Sequence, residues 1–118
     1  MDDKNKLVEI MGVRIICNEY LKEKVIDGLY RLGVSGFTWW EARGKGQHSA
    51  LEYLGGSRLC VEVWCVEAMA EKVLAFVHEL AVEYEAQSRR QGVIAAVEKL
   101  LVSAADVHKF GGAIKSPT

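Results

Sequence analysis

Two stretches with apolar residues at helical spacing, each set between segments rich in Val and Ile, constrain this chain more than any other feature of its sequence. The first runs through Leu21, Val25, Leu29 and Leu32, with Lys22, Glu23, Lys24 and Asp27 on the opposite side, the pattern of a helix with one buried stripe. Asn18 stands where an N-cap belongs, and Gly33 stands where the chain leaves the helix. The second stretch, EAMAEKVLAFVHELAVEYEAQSRR (67–90), puts Met69, Val73, Phe76, Val77, Leu80 and Tyr84 on one side and Glu71, Lys72, Glu79 and Glu83 on the other. That spacing predicts an amphipathic helix of about 20 residues packed on a sheet.

Strands fill the intervals. KLVEIMGVRIIC (6–17) predicts a first strand over at least 12–17, and VSGFTWWEAR (34–43) a second, with Phe37 and Trp39 on one face and Thr38 and Trp40 on the other. RLCVEVWC (58–65) alternates Leu59, Val61, Val63 and Cys65 against Cys60, Glu62 and Trp64, a third strand. GVIAAVEKLLVS (92–103) accepts helix or strand by composition; its glycine break and Val/Ile start favour a fourth strand. The order is then β-α-β-β-α-β, an α+β, ferredoxin-like plan with two helices on one face of an antiparallel sheet. Residues 44–57 hold four glycines and no sustained period, so they read as a loop. From 104 to 118 a tail follows, expected to dock first through Val107 and Phe110.

Composition narrows the function. A chain of 118 residues, half of them apolar, has material for one core, and 1–118 reads as a single domain. A net charge of −1 with scattered basic residues argues against a nucleic-acid partner. MDDKNKLVEIMG lacks the basic start and long apolar run of a secretory signal, and no run approaches the roughly 18 to 20 apolar residues of a membrane span, so a cytoplasmic protein is expected. Cys17, Cys60 and Cys65 are odd in number and lie in apolar segments, which suits free buried thiols. Cys60 and Cys65 fall on opposite faces of one strand and make a poor pair. His48, His78 and His108 share no ligand spacing, and no Ser/His/Asp, Cys/His or paired-carboxylate set emerges, so neither a metal site nor enzymatic activity is expected.

One stretch does point to a ligand. In GFTWWEARGKGQHS (36–49) an aromatic strand runs directly into a turn of glycine, lysine, glutamine and histidine. Gly44 and Gly46 can turn successive backbone N–H groups toward an anion, and Lys45 adds a mobile positive charge. The strand offers a flat surface to a purine, and the Thr38 hydroxyl one orienting hydrogen bond. Glycines at this spacing are common in ordinary turns, and no third glycine completes a dinucleotide fingerprint. Phe37, Trp39, Trp40 and Trp64 weigh more toward core or subunit contacts than toward stacking platforms. Arg89 and Arg90 end a helix, where cations suit the dipole.

The β-α-β-β-α-β order, the GFTWWEARGKG run and the loop after the second strand together resemble the PII-like signalling proteins. The likeness is nearest to the carboxysome-associated and bicarbonate-transporter-associated branches, in which the second strand ends in Gly-x-Gly and the next helix opens on x-x-Met-Ala-Glu, here EAMAEKV (67–73). The resemblance implies a homotrimer that binds an adenine nucleotide in each cleft between subunits, with bicarbonate as a second ligand. It also implies a T-loop, here about 44–57, that reports occupancy to a target such as a membrane transporter. Carried over by position, Gly36, Thr38 and Trp39 fall in the strand lining the cleft, and Gly44, Lys45, Gly46 and Gln47 at the T-loop base beside the phosphates. Gly92 matches the glycine of a second phosphate-side loop, entered through Arg89, Arg90 and Gln91. The loop is shorter than in PII proteins with a modifiable tyrosine, Tyr53 lies in a different context, and Val102 and Ala104 stand where basic residues would clamp a triphosphate. AMP or ADP is therefore the expected ligand ahead of ATP or cyclic AMP. Two other families share the plan: CutA-type trimeric metal-binding proteins, and acylphosphatase-like enzymes, for which Arg14 and Asn18 are present but the intervening IIC forms no phosphate cradle.

Overall fold

The computed structural model describes residues 6–34, 36–43, 57–88 and 92–105. Strand β1 (Leu7–Asn18) is followed by a 3-10 turn (Glu19–Leu21), helix α1 (Lys22–Arg31), strands β2 (Thr38–Arg43) and β3 (Ser57–Cys65), helix α2 (Glu67–Ser88) and strand β4 (Val93–Ser103). The four strands form one sheet in the order β2-β3-β1-β4, every neighbour antiparallel. This is the expected ferredoxin-like order, with β1 and β3 in the middle.

Period-two alternation assigns the faces. Val13, Ile15 and Cys17 of β1, with Leu59, Val61, Val63 and Cys65 of β3, are fully buried against Leu21, Val25 and Leu29 of the first helical segment and Met69, Val73, Val77 and Leu80 of α2. The opposite face carries the residues between them, and neither helix covers it. At Gly28 the ring of Phe76 lies against α1: a Cβ there would lie 2.1 Å from its Cζ. Lys24 of α1 reaches Glu83 of α2 at 3.2 Å on the outer surface.

The ends of α1 differ instructively from expectation. Asn18 does cap, its side chain accepting from the Tyr20 N–H at 3.0 Å, but what it caps is the 3-10 turn; α1 begins at Lys22. At the other end Gly33 has φ +88° and donates to Tyr30 O, while Val34 donates to Leu29 O at 3.1 Å. These two bonds make a Schellman motif, whose hydrophobic contact joins the residue after the glycine to the last full turn. Both Val34 and Leu29 are buried in the core. The second strand therefore starts at Thr38, not at 34: Val34 closes a helix, and Gly36 and Phe37 lead into the strand. β3 takes in Ser57, which was expected in the loop, and α2 is described as far as Ser88; Arg89 and Arg90 lie outside the described residues.

Candidate functional site

Of the residues expected to hold a ligand, Gly36, Thr38, Trp39 and Gly92 lie within the described residues; Gly44, Lys45, Gly46, Gln47, Arg90 and Gln91 lie outside them, as do most of the T-loop and the tail beyond 105. Gly36 precedes β2 and is not a strand residue. Thr38 pairs with Glu62 and points to the open face of the sheet, whereas Trp39 pairs with Val61 and points to the helix side. There Trp39 leans on Phe37, centroids 5.8 Å apart, and Phe37 meets Tyr30 edge-on at 5.4 Å. Thr38 and Trp39 cannot present their side chains to one surface; what they share is the backbone of an edge strand.

The register shows which candidates one chain can bring together. Glu41, Leu59, Cys17 and Val93 form one row across the sheet. The end of β2 and Gly92, just before β4, therefore lie at the same end of the sheet on opposite edges. Three strand spacings separate them, about 14 Å. Within one chain the end of β2 and Gly92 are therefore not neighbours.

Gly92 is buried, and a Cβ on it would stand 2.3 Å from Cε1 of Tyr84. The sequence placed Tyr84 in the apolar stripe of its helix and gave no sign that its ring would sit on a candidate site residue.

The open face holds a second feature unmarked by the motifs. Arg14 Nη2 donates to Glu62 Oε2 at 2.9 Å, and Trp64 Nε1 donates to Glu62 Oε1 at 2.9 Å. The hydrogen bond from Arg14 is the main reason the Glu62 carboxyl is held below its ordinary pKa, with that from Trp64 in support and partial burial opposing. Arg14 also feels Glu98 on its β4 side. Beside it a groove of about 200 Å³ runs over Gly12, between Arg14 and Glu62 on one side and Ala96, Glu98 and Leu100 on the other. A signal was present: a charged residue within the apolar run of each of two strands, Arg14 and Glu62, both on the parity opposite to the core.

Arg14 is thus engaged by Glu62, and Asn18 by the turn. All three cysteines are free, and burial pushes the Cys17 thiol up to about 12 and the Cys65 thiol up to about 11. Among the described residues no group of three His, Cys, Asp or Glu side chains is placed to hold a metal ion, and no helix is long and apolar enough to cross a membrane.

A four-stranded antiparallel sheet with this order and two helices on one face defines a ferredoxin-like domain. Within that class the family model for nitrogen regulatory protein P-II matches residues 10–105, and the chain belongs to this family of regulatory proteins. Among solved structures, a PII-like signalling protein from Thermus thermophilus is similar at 26% identity and a TM-score of 0.64, over 89% of this chain and 98% of that one. CPII from Thiomonas intermedia, a nitrogen regulatory PII-like protein solved with ADP, AMP and bicarbonate, shares the fold at 21% identity and a TM-score of 0.61, over 83% and 97%. GlnK of B. subtilis in complex with ATP shares it at 20% identity and a TM-score of 0.57, over 78% and 84%. No curated protein matches the chain.

Proposed function

We propose that the chain is a PII-like sensor: a homotrimer in which the bare sheet faces meet, and which binds an adenine nucleotide in each cleft between subunits. ADP or AMP is the expected occupant, with bicarbonate as a second ligand, and the T-loop at about 44–57 carries the state of the site to a target such as a transporter or a component of inorganic-carbon metabolism. The observation that carries this reading is that the end of β2 and Gly92 stand at one end of the sheet on opposite edges. Such a site is complete only between copies, and the bare face supplies the reason for copies to associate. Gly44, Lys45, Gly46 and Gln47 of one subunit would then oppose Arg90, Gln91 and Gly92 of the next around the phosphates, with Gly36 and Thr38 at the far end of β2. The ligands of CPII belong to the same chemical class.

Sedimentation velocity and isothermal titration calorimetry together test the proposal. The expected result is a trimer that binds AMP or ADP, and a Lys45→Ala variant weaker by about 1 to 3 kcal/mol, the loss of one charge-assisted hydrogen bond. A monomer, or a trimer silent toward AMP, ADP, ATP and cyclic AMP at millimolar concentration, overturns it.

A further inference from the structure

Tyr84 and Gly92 meet where α2 returns the chain to the sheet. An ideal Cβ on Gly92 would stand 2.3 Å from Cε1 of the ring, 2.9 Å from Cδ1 and 3.0 Å from Cζ. One edge of the ring therefore fills the volume in which any other residue would carry its side chain. Only a hydrogen fits in that space without a shift of ring or backbone. Nor can the contact be relieved by turning a terminal atom. The ring is rigid and packs against the core, so it must swing out whole or the backbone at 92 must retreat. Retreat would strain the row in which Val93 pairs with Cys17.

The same device occurs elsewhere on α2. Phe76, eight residues earlier on the same helix, lies over Gly28 with a would-be Cβ 2.1 Å from its Cζ. No ligand is proposed at that place, so a ring seated on a glycine is a packing habit of this helix. Gly92 need not be explained by a phosphate.

From this we infer that Tyr84 is a positioning residue: its ring dictates glycine at 92 and fixes where the start of β4 stands relative to α2. The ligand part of this inference rests on the proposed nucleotide site, since Gly92 lies at the end of the sheet where the phosphates are placed. The ring contact does not depend on that reading. Tyr84 would act through Gly92 without touching the ligand.

A double-mutant cycle on the full chain separates the possibilities, read by calorimetric ADP affinity and by thermal midpoint. In the wild-type background Gly92→Ala is expected to weaken ADP about tenfold or more and to lower Tm, because ring and methyl compete for one space. In a Tyr84→Ala background the same change should alter ADP affinity by less than about twofold and leave Tm in place. Tyr84→Ala alone should weaken ADP several-fold at temperatures where the chain is fully folded, and Tyr84→Phe, which keeps the ring, should restore the affinity. Equal cost of Gly92→Ala in both backgrounds would mean that the glycine answers to the ligand, and would overturn the inference. An unchanged ADP affinity in folded Tyr84→Ala would reduce Tyr84 to a packing residue and overturn its positioning role. If the wild-type chain binds no ADP, the nucleotide reading fails and the cycle is read in Tm alone. A Tm loss confined to the Tyr84 background then upholds the ring contact, and equal losses reject it.

Discussion

The two faces of the sheet lie one residue apart along β3. Leu59, Val61, Val63 and Cys65 are fully buried beneath the helices, while Glu62 and Trp64 between them are only partly covered, and Glu62 accepts hydrogen bonds from both Arg14 and Trp64. The helix face is completed by the chain itself, so volume and apolarity are enough to specify it. Neither helix covers the open face. It mixes half-buried apolar residues such as Ile16 and Leu100 with one hydrogen-bonded charged set. A surface that must wait for its partners gains by admitting only those that match: an unmatched apolar surface would desolvate the ion pair without replacing its water.

The largest expected effect tests that contrast directly. Leu59→Ala on the helix face should cost about 2 to 5 kcal/mol in urea unfolding and leave subunit association in sedimentation unchanged. Ile16→Ala on the open face should weaken association while disturbing the chain's own fold less. Equal unfolding costs with no change in association for either variant would erase the distinction between the faces.

Glycines sharpen the same comparison at smaller amplitude. A Cβ on Gly28 would meet the ring of Phe76 inside the helix layer, whereas one on Gly12 would meet the Cδ1 tip of Leu100 at 2.8 Å on the open face. Leu100 is partly exposed there and can move its tip aside. Overpacking should make Gly28→Ala net destabilising by about 1 to 3 kcal/mol, even though alanine is favoured over glycine inside a helix by up to about 1 kcal/mol. Gly12→Ala should stay within about 0.5 kcal/mol of wild type in thermal or urea melts. A stabilised Gly28→Ala would mean that the helices can part at that point without loss.

Period-two and helical spacing made both faces and both helices legible, down to Cys60 and Cys65 on opposite sides of β3 and Gly33 at the close of α1. The start of β2 was not legible, because Val34 is apolar for a reason that imitates a strand: it completes a Schellman motif against Leu29. Local patterns carry no information on sheet order, so the placing of Gly92 and the end of β2 on opposite edges had to come from the fold. Tyr84 looked like one more member of a buried stripe, and only packing shows which residue its ring requires to be glycine. The Arg14–Glu62 pair was half visible, as two charges of matching parity in two apolar strands, but which strands are neighbours is again a matter of topology.

That pair gives the smallest effect and a sign that can be checked. Its side chains are 52% and 27% exposed, so solvent screening holds its contribution to at most about 1 kcal/mol. Folding lowers the pKa of Glu62, mainly through the hydrogen bond from Arg14, so the folded chain releases this proton more readily than the unfolded one. The stabilisation is therefore complete above the unfolded value of about 4.3 and is lost as pH falls through the lower folded value. Glu62→Gln should be slightly less stable than wild type in urea at pH 7, and the gap should close as the pH is taken below about 4. A gap that persists unchanged at pH 3 would mean that the side chain contributes by shape and by its bond to Trp64, and the charged set on the open face would then have no part in holding a single chain together.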